Sequence, residues 1–429
     1  MSDSPNHAVP HRLARRLLLG LAMSLLLAAC ARAAQADPSD PGEGETPAAP
    51  VAAATAGDKV ELSPGLRPSP GVTVEPPGEV RPPAGADLEF RTDFSRHSVN
   101  YAEILSGGPP KDGIPAIDRP QFETVEQAGE WLEPLEPVIL FQTGEDARAY
   151  PLQILVWHEI VNDVVGGESV LISFCPLCNT AIAFDRTVDG QVLDFGTTGR
   201  LRYSNLIMYD RQTETWWQQA SGEAIAGELA GTQLEFLPAP IIAWQDFKEA
   251  HPAGQVLSRD TGHSRPYGQN PYVGYDDINS SPFLYRGPAT SDRLPPMARV
   301  LAVELGGEVV AFPYETLQTV RVINAQVGGE DIVVLWEAGT ASALDSITLA
   351  GGRDVGAAAA YSRVVEGRAL TFSFDGSSIL DEETGSRWDV LGRAVLGGLA
   401  GASLEAVVAV NHFWFSWAAF KPETQVYRP

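Results

Sequence analysis

The chain has 429 residues, an ordinary apolar content of 44% and a formal net charge of −25 at pH 7. This length allows two or three domains, and the apolar content is sufficient for a sizeable core. The strong negative charge argues against nucleic acid as a partner, because phosphate binding requires clustered lysine and arginine.

The first 29 residues have the pattern of a secretory signal, with three arginines before a short apolar run at residues 17–29. The run is too short for a comfortable transmembrane helix. The sequence of residues 27–30 resembles a bacterial lipobox, which implies cleavage before Cys30 and lipidation of its thiol. We therefore expect a lipoprotein signal peptide at residues 1–29 and a mature chain held at a membrane. The expected location is the bacterial cell envelope, facing the periplasm or the cell exterior. The alternative is an ordinary signal peptide that ends near a cysteine.

Residues 30–87 are rich in proline, alanine, glycine and acidic residues, and residues 31–86 contain no aromatic residue. Such a segment cannot bury enough apolar surface to fold. It is typical of a disordered, semi-extended tether that carries a folded domain away from the membrane.

The folded part is predicted to contain short strands and few helices. Helical spacing covers residues 152–161, with His158 near the end. The dipeptide Asp189-Gly190 is a strong hairpin signal. The predicted strands are residues 138–141, 170–174, 181–184 and 191–195.

Two parts of the chain repeat each other. Residues 149–155 read AYPLQIL and residues 311–317 read AFPYETL. After an interruption the match resumes, with Asp381, Thr384 and Trp388 opposite Asp210, Thr213 and Trp217. We predict a β-rich α+β fold built from two divergent tandem copies of one mainly-β unit, a first region at residues 88–290 and a second region at residues 291–429.

The candidate chemical groups occur in the first region only. The motif Cys175-Pro-Leu-Cys178 has no cysteine in its counterpart, and His158 falls opposite Val320. The segment containing Arg200 and Arg202 also has no full counterpart. The second region therefore resembles a degenerate copy. The alternative is neutral divergence without any active site, since function must be argued from a site and not from a fold.

The cysteine pair allows four interpretations. It can be a redox dithiol, since Cys-x-x-Cys favours thiol exchange. It can be a copper or zinc site formed by Cys175 and Cys178 with His158 or His263. It can be a nucleophile, with Cys175 activated by one of these histidines, or a structural disulfide. His412, in the second region, is a weaker candidate ligand.

Two polar segments are candidate substrate contacts. Arg200 and Arg202 are suited to binding a carboxylate or phosphate, although a solvated turn with Arg–Asp pairs is an equal alternative. Residues 260–277 form a polar, aromatic loop between the two regions, and long irregular loops of this kind often line sites.

Several motifs together resemble the DUF3179 family, a prokaryotic domain of unknown function. The resemblance extends over residues 144–427 and includes residues 158–163 (HEIVND), 174–178 (FCPLC), 199–201 (GRL), 205–211 (NLIMYDR) and 216–217 (WW). It implies that some members carry threonine or another residue in place of Cys178, so Cys175 is the stronger candidate. The family supplies no reaction.

Our leading hypothesis is a lipid-anchored extracytoplasmic protein with a Cys/His site for a soft metal or for redox chemistry. Cys175 and Cys178 would be the ligands or redox pair, with His158 as a neighbouring ligand or base. Arg200 and Arg202 would orient an anionic small molecule. The competing hypothesis is a non-catalytic ligand-binding or envelope-assembly protein, in which the cysteines form a structural disulfide.

Overall fold

The computed structural model describes residues 71–76 and 79–429. The predicted signal peptide, the lipidation site Cys30 and most of the predicted tether lie outside these residues. The described part of the tether segment includes one short strand, Thr73–Val74, which pairs with Arg96–His97. No helix in the described part of the chain is long and apolar enough to cross a membrane.

The protein is β-rich, and its helices are short, as the sequence predicts. Up to residue 290 the strands are β1 (Thr73–Val74), β2 (Arg96–His97), β3 (Ile104–Ser106), β4 (Phe122–Thr124), β5 (Pro137–Thr143), β6 (Asp146–Pro151), β7 (Ile160–Val165), β8 (Glu168–Cys175), β9 (Thr180–Asp185), β10 (Thr187–Val188), β11 (Gln191–Val192), β12 (Phe195–Arg202), β13 (Asn205–Asp210), β14 (Trp216–Gln218), β15 (Glu223–Ala226), β16 (Phe236–Leu237), β17 (Ile241–Ala243) and β18 (Gln255–Leu257). After residue 290 they are β19 (Arg299–Leu305), β20 (Glu308–Pro313), β21 (Val322–Val327), β22 (Glu330–Glu337), β23 (Ala357–Ser362), β24 (Val364–Val365), β25 (Arg368–Ala369), β26 (Phe372–Phe374), β27 (Ile379–Asp381), β28 (Arg387–Trp388), β29 (Ala394–Leu396), β30 (Ala409–Phe413) and β31 (Gln425–Val426).

Helices occupy few positions between these strands. The α-helices of the described residues are Ala86–Glu89, Val125–Ala128, Leu152–His158, Trp244–Ala250, Tyr314–Val320 and Trp414–Phe420, and the 3-10 turns are Tyr101–Glu103, Pro176–Cys178 and Leu349–Gly351.

The strands form several small sheets. The larger ones have the orders β1-β2-β15-β14-β13-β12-β3, β17-β5-β6-β18-β4, β16-β9-β8-β7, β30-β19-β20-β31 and β26-β27-β28-β29. The four strands β17-β5-β6-β18 and the four strands β30-β19-β20-β31 are paired in the same way. In each set, two antiparallel pairs are followed by one parallel pair. In both, the last pair is parallel, with Val256 opposite Ala149 and Val426 opposite Ala311.

Most of the predicted elements are present, but the helix that carries His158 ends earlier than expected. It spans Leu152–His158, because Glu159 adopts a left-handed conformation with φ 60°. The chain then enters β7 at Ile160, where the sequence pattern predicted continued helix. The Asp189-Gly190 hairpin is confirmed, with φ values of 50° and 79°. Its returning strand stops at Val192, and β12 begins a new sheet at Phe195.

The two tryptophans of β14 lie on opposite faces of the strand, as their adjacent positions predict. Trp216 packs in a core with Phe90 and Phe94, and Trp217 packs in the core that contains the cysteines. This second core also includes Phe413 and Phe415 from the second region. The two regions therefore share apolar interior around the candidate site.

Candidate functional site

Cys175 and Cys178 lie in a tight connection between two paired strands. Cys175 ends β8, Pro176–Cys178 form a 3-10 turn, and Asn179 at φ 50° returns the chain into β9. Cys175 is paired with Thr180 across the ladder. Proline is favourable at the first position of such a turn because its φ is already set. Both cysteines are unbonded thiols, with exposures of 2% and 0%.

The two thiols converge on one backbone oxygen. Cys178 donates to the carbonyl oxygen of Ser204 with a distance of 3.4 Å, and Cys175 approaches the same oxygen at 3.9 Å. Burial raises the pKa of Cys175 well above its ordinary value, and its contacts with Cys178 and the charge of Glu159 raise this pKa further. The closed site therefore holds Cys175 as a neutral thiol rather than a thiolate.

Ser204 belongs to a turn that covers the sulfurs. Tyr203 and Ser204 connect β12 to β13 as a two-residue turn with φ values of 53° and 68°, both left-handed although neither residue is glycine. Such a conformation costs free energy and persists only where surrounding contacts hold it. Ser204 donates its hydroxyl to the carbonyl oxygen of Phe283 at 2.6 Å.

The loop between the two regions secures this cover. Tyr275 donates its hydroxyl to the carbonyl oxygen of Leu177 at 3.0 Å and accepts from the backbone N–H of Phe283 at 3.3 Å. One tyrosine therefore joins the cysteine turn to the segment that holds Ser204. The prediction that this irregular loop lines the site is consistent with these contacts.

A buried network of hydrogen-bonded amide side chains, all neutral, lies beside the cysteine hairpin. The Asn205 amide donates to Gln219 at 2.8 Å and accepts from Gln218 at 2.6 Å. Gln219 in turn donates to the Ser173 hydroxyl and to the carbonyl oxygen of Thr180, at 3.2 and 3.1 Å. These residues are fully buried. They fix the site sterically but supply no positive charge to stabilise a thiolate.

Glu159 is a site residue that the sequence reasoning did not single out. Its carboxyl is buried with no hydrogen-bonding partner among the described residues, and burial raises its pKa to about 8. Its backbone carbonyl accepts from the N–H of Phe174 at 2.8 Å, which places it beside the start of the cysteine motif. The predicted repeat offered one signal, because its spacing sets the acidic Glu159 opposite the basic Arg321.

His158 is held by hydrogen bonds on both ring nitrogens. Nδ1 lies 2.8 Å from the carbonyl oxygen of Pro115, which can only accept, so Nδ1 carries the proton. Nε2 then accepts from the Tyr267 hydroxyl at 2.6 Å, and the Thr261 hydroxyl is left to donate to Tyr267 at 2.5 Å. Burial lowers the pKa of His158 to about 4, consistent with a neutral ring.

The candidate metal ligands form two pairs. The rings of His158 and His263 have centroids 5.4 Å apart, and His263 is exposed. Cys175 and Cys178 form the other pair, and neither thiol has a hydrogen bond to a histidine. Over residues 71–76 and 79–429, no group of three or more His, Cys, Asp or Glu side chains is arranged to hold a metal ion.

Arg200 and Arg202 both bind acidic side chains of the same chain. Arg200 pairs with Glu89 at 2.6 Å, and Arg202 pairs with Glu103 at 2.7 Å. The partners are glutamates from the segment before residue 110, whereas the alternative interpretation of this segment named Arg–Asp pairs. Their role in orienting an anionic substrate stays a prediction.

His412 connects the second region to the cysteine hairpin. Its Nδ1 lies 2.7 Å from the Thr180 hydroxyl, which also contacts the carbonyl oxygen of Cys178 at 3.2 Å. The ring is fully buried against Trp417, with centroids 4.8 Å apart, and its Nε2 has no partner in the described part of the chain. Sequence reasoning ranked this histidine low because it belongs to the region without cysteines.

These features define a β-rich protein with a buried dithiol under a strained turn. A family model described as "Protein of unknown function (DUF3179)" matches residues 111–424. The chain belongs to this family, as its motifs predict. No curated protein and no solved structure matches the chain.

Proposed function

We propose that this chain is a cell-envelope protein, anchored through a lipid on Cys30, in which Cys175 and Cys178 act as a redox-active dithiol. One observation carries the redox proposal: both thiols lie against the carbonyl oxygen of Ser204, at 3.9 and 3.4 Å. The side chains of Cys175 and Cys178 are also hydrogen-bonded to each other, so the two sulfurs are neighbours, as intramolecular thiol exchange requires.

The proposed reaction is thiol–disulfide exchange with a disulfide-containing partner. One cysteine loses its proton and attacks a sulfur of the partner, which forms a mixed disulfide and releases one partner thiolate. The second cysteine, also deprotonated, attacks the protein sulfur of the mixed disulfide and releases the second partner thiolate. The two released thiolates take up the two protons, and two electrons pass from the dithiol to the partner.

Access to the sulfurs limits which partners can react. Because the cysteines are 2% and 0% exposed, a partner reaches them only when the Tyr203–Ser204 turn moves. An anionic partner would have to displace Glu89 from Arg200 or Glu103 from Arg202. The proposed partner is therefore a disulfide on a small anionic molecule or on an envelope polypeptide that opens this turn.

The test is the redox state of the cysteines at defined potentials. The folded chain is equilibrated with mixtures of reduced and oxidised dithiothreitol, alkylated, and weighed by mass spectrometry. We expect one reversible two-electron transition between Cys175 and Cys178, absent from Cys175→Ser and Cys178→Ser. Failure to form a disulfide at any potential overturns the proposal. A disulfide that resists reduction until the chain unfolds favours the non-catalytic binding or envelope-assembly protein instead.

A soft metal is the second candidate, supported by the same convergence of two sulfur donors. Thiolates select Cu(I), which two sulfurs can hold without a third ligand. Zinc needs further ligands. His158 is a poor candidate ligand, because both of its ring nitrogens already make hydrogen bonds. The test is copper and zinc per chain after purification without added metal or chelator, beside a Cys175→Ser/Cys178→Ser variant. Near-stoichiometric metal that is lost in the variant would favour this candidate over the redox proposal.

We also propose that the second region arose by duplication of the first and lost its chemistry. In the first region, Asp210 accepts hydrogen bonds from Thr213 and from the indole of Trp217 at 2.9 Å. Asp381 accepts from Thr384 and Trp388 at 2.8 and 2.9 Å. The matching strand orders of the two central sheets support the same proposal. Residues at these paired positions serve the shared fold, whereas Cys175, Cys178 and Glu159 have no such counterparts.

A further inference from the structure

A groove of about 690 Å³ lies where the two regions meet, and neither the cysteines nor Tyr203 and Ser204 line it. The first region contributes Ser221 and Phe236 to its wall. The second region contributes strands β19 and β22, the segment around Val408, and Trp417. This volume falls within the range of about 300–1,000 Å³ typical of ligand sites.

The floor of the groove is apolar. Ile332 and Val410 are buried beneath it, while Phe236 and Val408 are partly exposed at its surface. Trp417 forms another part of the wall. Partly exposed apolar side chains gathered in one groove are a common feature of interaction sites.

The rim of the groove is acidic, and its charge is only partly compensated. Glu304 pairs with Lys421 at 2.7 Å, and Asp331 pairs with Arg363 at 2.8 Å. Glu330 and Glu405 are exposed on the same groove and make no ion pair within residues 71–76 and 79–429. An anionic ligand would be repelled here, whereas a cationic ligand with apolar groups would complement both the rim and the floor.

We infer that this groove binds an extended polypeptide segment in which basic and apolar side chains alternate. An extended chain presents successive side chains on opposite sides. Its apolar side chains would contact Phe236 and Val408, and its basic side chains would reach Glu330 and Glu405. Recognition of this kind combines apolar contact with electrostatic steering. The inference goes beyond the proposed dithiol chemistry and does not depend on it.

The test uses a blocked synthetic peptide of alternating lysine and valine, measured by fluorescence anisotropy against the full-length chain. We expect saturable binding that weakens at least tenfold in Glu330→Lys/Glu405→Lys. The matched control is Glu130→Lys/Glu145→Lys, which makes the same change in net charge at two exposed positions outside the groove. This control should bind within twofold of the unchanged chain.

Two further peptides test the two parts of the recognition separately. Replacing valine with serine in the peptide should weaken binding at least fivefold, and replacing lysine with glutamate should abolish it. No saturable binding, or equal weakening in the groove and control variants, overturns the inference. Each measurement is repeated in Cys175→Ser/Cys178→Ser, where binding should be unchanged. Failure of the dithiol proposal and failure of the groove proposal therefore give different results.

Discussion

Cys178 donates its thiol to the carbonyl oxygen of Ser204 at 3.4 Å, although the two residues are 26 positions apart in the chain. The acceptor lies in a left-handed turn that is held by a loop from much later in the sequence. The environment of the dithiol therefore depends on contacts that a local motif does not contain. Opening of this turn should control every reaction of the cysteines.

The hydroxyl of Tyr275 is expected to hold the cover closed. Tyr275→Phe removes the hydrogen bonds to Leu177 and Phe283. Since each bond contributes about 1 kcal/mol, the loss of both should raise the rate of alkylation of Cys175 and Cys178 in the folded chain roughly thirtyfold. Tyr285→Phe is the control, because its hydroxyl binds only the nearby Pro288 carbonyl. Equal labelling rates in the two variants would show that Tyr275 does not hold the cover.

The Asp–Trp hydrogen bonds of the two regions should contribute similar stability. Trp217→Phe and Trp388→Phe each remove an indole N–H bond of 2.9 Å to a buried aspartate. The indole N–H of Trp216 has no partner in the described residues, so Trp216→Phe is a matched control that removes no such bond. In urea unfolding, the free energy of unfolding of Trp217→Phe and Trp388→Phe should fall by about 1–2 kcal/mol more than that of the control. An equally large loss for Trp216→Phe would show that the Asp–Trp hydrogen bonds do not contribute this stability.

His412 and Thr180 should be energetically coupled across the two regions. Their side chains lie 2.7 Å apart and are fully buried. His412→Phe and Thr180→Val should each lower the free energy of unfolding, by about 1–3 kcal/mol. In the double variant the losses should fall short of their sum by about 1 kcal/mol. Additive losses would show that the contact contributes no stability.

The stability of the folded chain should depend on pH through Asp246. Burial, together with the charge of Glu337, raises the pKa of Asp246 to about 7. The folded state thus holds this proton up to about pH 7, whereas the unfolded state releases it near pH 4. The contribution of Asp246 to stability is therefore largest below about pH 4 and falls as the pH rises toward 7.

Asp246→Asn removes this titration and should be more stable than the unchanged chain at pH 8, by roughly 1–3 kcal/mol. The difference should vanish near pH 4. Urea unfolding at pH 4, 6 and 8 measures this difference in stability. The control is Glu130→Gln, at an exposed position, which should change the free energy of unfolding by less than about 0.5 kcal/mol at each pH. A constant difference for Asp246→Asn across these pH values would disprove the assignment to this carboxyl.

Local sequence patterns predicted the framework of the site. Alternation and turn residues identified β8, β9 and the Asp189-Gly190 hairpin, because side-chain direction in a strand and positive φ in a turn are local properties. The adjacent positions of Trp216 and Trp217 predicted that their side chains lie on opposite faces of one strand. The same reasoning extended the His158 helix to residue 161, because no local signal predicts that Glu159 takes a left-handed conformation.

The sequence by itself determined the β-rich class and the position of the Cys-x-x-Cys motif, since these depend on periodicity and spacing, and its motifs identified the family by resemblance. Only the tertiary structure placed Ser204 over the thiols, Glu159 beside Cys175 and His412 against Thr180. It also gave Arg200 and Arg202 glutamate partners from a distant segment. These relationships join residues far apart in the chain, and the packing of the two regions around a shared core brings them together.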